Sequence, residues 1–327
     1  MRGKIPVTLL TGFLGAGKTT LLNRILAEKH GRRFAVIVNE FGAIGIDGAL
    51  IENVEDNLYE MSNGCICCTV QGDFNRTLYS LMQQSDRFDA ILIETTGLAE
   101  PGPLARTFLD DHNVAMFSEL DAIITIADAK WTIAHLSSAG ETRDQIAFAD
   151  LIVLNKTDLV TAEECKAVEA RLRGLNRHAD ILRAVRCDVP LDHLFGRHAF
   201  DLDHMEEIKP LHAHDHAHDD HIHDDSIASV SLDYAGEVDR ERLLAWFGAL
   251  IERDGAKLFR CKGILAFPGE PQRFVLQSVH DVVDGIFQRP WKPGERRQSK
   301  LVLIGRDLDV EALQSAFASC AVQRESF

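Results

Sequence analysis

The stretch that most constrains this chain is Gly12-Phe13-Leu14-Gly15-Ala16-Gly17-Lys18-Thr19, set between an apolar run at residues 7–10 and a helical pattern starting at residue 19. Glycines at this spacing let backbone N–H groups turn inward around phosphate oxygens. A helix that begins at once adds the positive end of its dipole. Strand, glycine-rich turn and helix in this order form the G-x-x-x-x-G-K-[ST] phosphate loop. Gly12, Gly15, Ala16 and Gly17 are expected to wrap the phosphates, with Thr20 beside them. Lys18 would reach the β- and γ-phosphates, and Thr19 would offer its hydroxyl to Mg²⁺. The bland alternative, a glycine-rich turn with no ligand, fits poorly with so good a strand and helix on either side.

Further apolar runs at residues 34–38, 90–93, 122–126 and 151–154 show no polar alternation, as in parallel strands buried on both faces. Between the runs at 7–10 and 34–38, Leu21, Leu22, Ile25 and Leu26 share one helical face and Gly31 supplies a stop. The expected fold is a doubly wound, mostly parallel α/β sheet over residues 1–199. From 200 to 226 the chain turns Asp- and His-rich, with apolar residues too sparse for a core, and reads as a linker. Order returns over 227–327: strands at 230–234 and 301–304, helices at 240–253 and 310–317, and a hairpin whose arms, 264–267 and 274–279, flank Pro268-Gly269-Glu270-Pro271. This portion reads as a small α+β domain.

Hydrophobic residues make up 46% and charged residues 26%, the composition of ordinary globular chains. No apolar run reaches bilayer length and the amino terminus lacks a signal-peptide pattern, so a cytoplasmic protein is expected. A net charge of −15 argues against nucleic acid or membrane as partner.

The base is read from Asn155-Lys156-Thr157-Asp158, an N-K-x-D motif closing the run at 151–154. The Asp158 carboxylate can accept hydrogen bonds from guanine N1–H and the N2 amine. Adenine lacks both donors, so buried polar groups would go unpaired. Asn155 would brace the loop and the Lys156 stem would lie along the base. Glu94-Thr95-Thr96-Gly97 stands where GTP-hydrolysing folds carry D-x-x-G, with Glu94 as the acid of the Mg²⁺ shell and Gly97 as the γ-phosphate sensor. Leu98 follows instead of a water-orienting Gln, which predicts slow intrinsic hydrolysis. Glu40, in Asn39-Glu40-Phe41-Gly42, and Asp47 are candidates for a mobile switch segment, with a solvated loop as the bland alternative.

Three of the seven cysteines crowd together at Cys65, Cys67 and Cys68, between a short strand at 58–61 and a helix running to about residue 82. Thiolates at this spacing can supply two or three ligands to Zn²⁺ or Co²⁺. Packing as small hydrophobes suits one of them, Cys65, better than all three. Seven of the fourteen histidines lie between His204 and His223. His212, His214, His216, His218, His221 and His223 form a tract able to hold borderline metals weakly, with a solubilising linker as the alternative. His112 is a weak candidate ligand; His30, His135, His178 and His280 are read as structural.

Taken in order, these motifs resemble the CobW family of metallochaperone GTPases, relatives of the nickel-enzyme GTPases that serve hydrogenase and urease. Ser278-Val279-His280, Trp291 and Leu303-Ile304-Gly305-Arg306-Asp307 resemble the family's small carboxy-terminal domain. The resemblance implies a GTPase that delivers Zn²⁺ or Co²⁺ to client metalloproteins, with zinc favoured and Cys67 and Cys68 as principal thiolates. A homodimer is left open. Two rival readings are a metal buffer without catalysis and a regulatory GTPase switch with structural cysteines.

Overall fold

The computed structural model describes residues 4–28, 31–38, 58–60, 71–196 and 227–322, the side chains of 58–60 and 71–73 excepted. The chain divides into two compact units, Met1–Phe200 and Asp201–Phe327, each built on its own sheet.

In the first unit the elements run β1 (Ile5–Thr11), α1 (Lys18–Ala27), β2 (Phe34–Val38), β3 (Leu58–Glu60), α2 (Gln71–Met82), β4 (Ala90–Glu94), α3 (Pro101–Asp110) and α4 (His112–Phe117). They continue through β5 (Ser118–Asp128), α5 (Thr132–Ser138), α6 (Gly140–Phe148), β6 (Leu151–Asn155), α7 (Ala162–Leu175) and β7 (Asp180–Arg183). The seven strands take the order β3-β2-β4-β1-β5-β6-β7, and every pair is parallel. The doubly wound α/β expectation holds. All residues of β2, β4 and β6 are buried, which is why these strands read as unbroken apolar runs.

Leu21, Leu22 and Ile25 bury one stripe of α1 against the sheet, where they join Leu10, Leu92 and Ile124 in a single core. On α2, Phe74, Leu78 and Leu81 are fully buried, and the Phe74 ring meets Phe108 of α3 edge-on at 6.4 Å. A carboxylate also holds α2. Asn75 Nδ2 and Tyr79 Oη donate to Asp111 Oδ2 at 3.1 and 2.6 Å, while Asp111 Oδ1 accepts the Asn113 and Val114 amides and caps α4. Burial is the largest influence on the Asp111 carboxyl and pushes its pKa up. The hydrogen bonds from Tyr79, Val114 and Asn113 outweigh it and leave the group below the ordinary Asp value.

The second unit contains β8 (Ile227–Tyr234), α8 (Arg240–Asp254), β9 (Leu258–Leu265), β10 (Gln272–Val279), β11 (Val282–Pro290), β12 (Ser299–Arg306) and α9 (Val310–Ser319). Its sheet is antiparallel throughout, in the order β11-β10-β9-β12-β8. The expected hairpin joins β9 to β10, with Leu265 opposite Phe274. Leu243, Phe247 and Leu250 of α8 and Leu313 and Phe317 of α9 share a core with Leu276, Leu301 and Leu303.

Two strands escaped the sequence reading, β7 and β11, and both are edge strands. Neither is an unbroken buried run: β7 is half-exposed, and β11 carries Asp284 and Gly285 at its middle. An edge strand needs only one neighbour and so leaves a weak hydrophobic signature. Among the described residues, no helix is long and apolar enough to cross a membrane.

Candidate nucleotide site

The carboxyl end of β1 opens into a loop whose backbone only glycine can follow. Gly12, Gly15 and Gly17 have φ of 138°, 71° and 118°. At Gly12 a Cβ would also lie 2.2 Å from the Ile126 carbonyl oxygen, inside any tolerable contact. Gly17 is the N-cap of α1 and has no side chain to offer the first amides of that helix, and the first turn carries no acid. Helices α4, α7, α8 and α9 are capped by Asp111, Thr161, Asp239 and Asp309, whereas α3, α5 and α6, like α1, have no side-chain cap. Uncapped amides at a dipole's positive end suit an anion.

Lys18 is buried and folds back over the loop, its Nζ donating to Gly12 O at 2.8 Å and Phe13 O at 3.2 Å. Thr19 Oγ1 donates to Glu94 Oε1 at 2.9 Å, bringing together two residues 75 positions apart. Sheet register makes this meeting: Leu10 lies opposite Glu94, and the Thr95 amide donates to Leu10 O at 2.9 Å. Gly97 sits against the loop so closely that a Cβ there would approach Leu14 N to 2.6 Å.

At the end of β6, Asn155 is buried and joins two loops. Its Nδ2 donates to Ala16 O at 2.9 Å, and its Oδ1 accepts the Cys187 amide at 2.8 Å. Lys156 adopts φ 61°, a strained value for a non-glycine residue. Its Nζ is held by Gly15 O and by Asp128 Oδ2, both at 2.7 Å. Asp158 is exposed on the short helical turn Thr157–Leu159.

Sequence reasoning missed two parts of this arrangement. Asp128 ends β5 opposite Asn155 and anchors Lys156; its only signal was an acid closing a buried strand. The loop after β7 reaches the site as well: Thr157 N and Oγ1 donate to Ala184 O at 3.1 and 3.0 Å, and Cys187 Sγ lies 3.4 Å from Gly17 O. Burial pushes the Cys187 thiol up to about 11. Arg24 of α1 ties this loop down through Cys187 O at 2.6 Å and Asp188 at 2.7 Å. Its signal was missing because β7 itself was not recognised.

The structure brings Gly12, Gly15, Ala16, Gly17, Lys18, Thr19, Thr20, Glu94, Gly97, Asn155, Lys156 and Asp158 to the carboxyl edge of one sheet. Glu40, Asp47, Cys65, Cys67, Cys68, His30 and the tract from His212 to His223 lie outside the described residues. His135, read as structural, stacks on Phe13 with ring centroids 4.1 Å apart. Among the described residues, no group of three or more His, Cys, Asp or Glu side chains is placed to hold a metal ion.

Fold and site together define a P-loop GTPase. Residues 6–183 match the family described as "CobW/HypB/UreG, nucleotide-binding domain", and residues 227–321 match "Cobalamin synthesis protein cobW C-terminal domain". The chain belongs to the CobW/HypB/UreG family. It is similar to the zinc chaperone CobW of Pseudomonas aeruginosa, 39% identical across 95% of this chain and 90% of that protein. It also resembles the zinc chaperone YjiA of Escherichia coli, 36% identical across 96% and 98%. The crystal structure of Zn(II)-bound YjiA GTPase from E. coli superposes with a TM-score of 0.74 at 33% identity, covering 98% of this chain and 100% of that one.

Proposed function

We propose that this chain is a zinc chaperone that binds GTP with Mg²⁺ at the carboxyl edge of its first sheet and couples hydrolysis to the capture and delivery of Zn²⁺. The Gly12–Thr19 backbone and the uncapped α1 amides would receive the phosphates, and Lys18 would supply a cation to the β- and γ-phosphates. Thr19 and Glu94 offer two hard oxygen donors in contact, a set suited to Mg²⁺, which would neutralise charge on the transferring phosphoryl group. Asp158 would accept the guanine N1–H and N2 amine, while Asn155, Asp128 and the Ala184–Cys187 loop hold that recognition surface in place. Leu98 after Gly97 brings no water-orienting amide, so hydrolysis is slow, and Glu40 is the candidate to orient the attacking water.

The observation that carries the metal half is a register. Glu60, the last residue of β3, pairs with Val38, and Val38 pairs with Glu94. Glu60, five positions before Cys65, therefore stands in the same row of the sheet as the acid that meets Thr19. In this reading Cys67 and Cys68 are the principal ligands, Cys65 a third, and the histidine tract a weaker, faster-exchanging store. The names of the P. aeruginosa and E. coli relatives support zinc over cobalt.

Zn²⁺ affinity measured by competition with a chromophoric chelator, with Mg²⁺ present, tests the coupling across GTP analogue, GDP and no nucleotide. We expect binding tighter by roughly tenfold or more with the GTP analogue, and by linkage an equal gain in nucleotide affinity with zinc. Cys67→Ser/Cys68→Ser should abolish the difference. Equal zinc affinity in all three states would sink the coupling and leave a metal buffer or an unrelated switch.

A further inference from the structure

Gly97 and Ala99 do not hold their loop unaided. Gln145 of α6 is 1% exposed, and its Nε2 donates to Gly97 O and to Ala99 O, each at 3.1 Å. The same residue's main-chain carbonyl accepts Thr125 Oγ1 of β5 at 2.7 Å, so it is pinned from the sheet as well. A primary amide suits this role because one nitrogen carries two N–H donors and can serve two carbonyls at once. Gln145 also lines a small cavity together with Phe13, Ala16, Asp128 and Thr142. Neither Gln145 Oε1 nor Thr142 Oγ1 has a hydrogen-bond partner among the described residues. A side chain this deeply buried holds its geometry at the cost of an unpaired acceptor.

The consequence lies in the peptide plane. A trans peptide points its N–H opposite to its C=O. Fixing Gly97 O toward Gln145 therefore sets the orientation of the Gly97–Leu98 peptide, whose N–H points the opposite way within the same plane. The Gly97 main chain, meanwhile, is packed so tightly on Leu14 of the phosphate loop that a methyl group would not fit.

We infer that Gln145 is a positioning residue for the γ-phosphate: by holding the Gly97 and Ala99 carbonyls, it fixes the loop whose Gly97 amide is offered to the terminal phosphoryl group of GTP. It touches neither nucleotide nor water and acts only through the loop. The inference rests on the reading of Gly97 as γ-phosphate sensor, and it predicts an effect confined to nucleotides that carry that phosphate.

Gln145→Met keeps the chain length and removes both donors; Gln145→Glu keeps the shape and replaces the donors with acceptors. In both, kcat for GTP hydrolysis should fall by about 10- to 100-fold, as misplaced reacting groups do, and GTP-analogue affinity should fall with it. GDP affinity should stay within about twofold of wild type, which also reports that the variant is folded. Wild-type turnover in Gln145→Met, or equal losses of GDP and GTP-analogue affinity in both variants, would overturn the inference. Hydrogen exchange in the wild type separates the two claims. If the Gly97–Ala99 amides gain no protection with GTP analogue over GDP, the sensor reading fails. If they do gain it and the Gln145 variants behave as wild type, only the role of Gln145 fails.

Discussion

The two units differ in what most of their polar side chains meet. In the second, charges answer one another. Glu295 receives Arg289 through two contacts at 2.7 and 3.0 Å and lies 3.6 Å from the fully buried Arg273. Arg297 pairs with Glu237 at 2.7 Å and donates to the Phe267 and Glu270 carbonyls. Both helices there are capped by aspartates. In the first unit, the polar groups at the carboxyl edge hold loops instead: Lys18, Asn155, Lys156 and Gln145 all reach main-chain carbonyls of the phosphate loop or of the Gly97 loop. The N-cap of α1 is Gly17, which offers the first amides of that helix no side chain. One unit uses buried hydrogen bonding to stabilise itself; the other uses it to keep a backbone surface shaped for an anion.

The sharpest way to break this contrast is Gly12→Ala. Its Cβ would collide with Ile126 O at 2.2 Å in a left-handed backbone, a strain of roughly 3 kcal/mol or more. GDP binding, followed by titration calorimetry, should be lost while the second unit stays folded. Retained GDP affinity would mean the loop is not the rigid anion cradle its geometry describes.

Glu295→Ala is the mirror experiment. It removes the carboxylate that Arg289 and the buried Arg273 meet, and breaking such a pair costs about 3 kcal/mol. Urea unfolding should shift to lower denaturant in the second unit, followed through Trp246 and Trp291, with nucleotide affinity unchanged. Weakened GDP binding in this variant would show that the units do not divide these roles.

The smallest effect is one both units share. The Arg289 hydrogen bond, the first of several causes, holds Glu295 below the ordinary Glu value, and Asp111 is likewise lowered. A carboxyl with a depressed folded pKa adds stability above its unfolded pKa and loses it as pH falls through the folded one. Unfolding midpoints should therefore be flat near neutrality and decline below the ordinary carboxylate pKa values. Asp111→Asn should flatten the acid limb for the first unit, and Glu295→Gln for the second. An acid limb unchanged in both would remove these two groups from the account.

Much of the nucleotide site was legible because its motifs are contiguous. Gly12–Thr19, Glu94–Gly97 and Asn155–Asp158 each close a strand and each carry their chemistry within a few residues. The central strands were legible for a related reason: burial on both faces forces unbroken apolar runs. The edge strands β7 and β11 have no such constraint, and with β7 unrecognised the Ala184–Cys187 loop could not be placed.

By itself, then, the sequence determined a parallel α/β sheet and a second α+β unit, and it displayed a phosphate-loop pattern and an N-K-x-D pattern, since each follows from local periodicity or a short fixed pattern. Only the tertiary structure decided which side chains hold those motifs in shape: Asp128 on Lys156, Arg24 on Cys187 across 163 positions, Asn155 on Ala16 across 139, and Gln145 on Gly97 across 48. These contacts depend on strand order and register, which bring distant residues to one sheet edge, and no pattern along the chain encodes a distance between strands that are not neighbours in sequence.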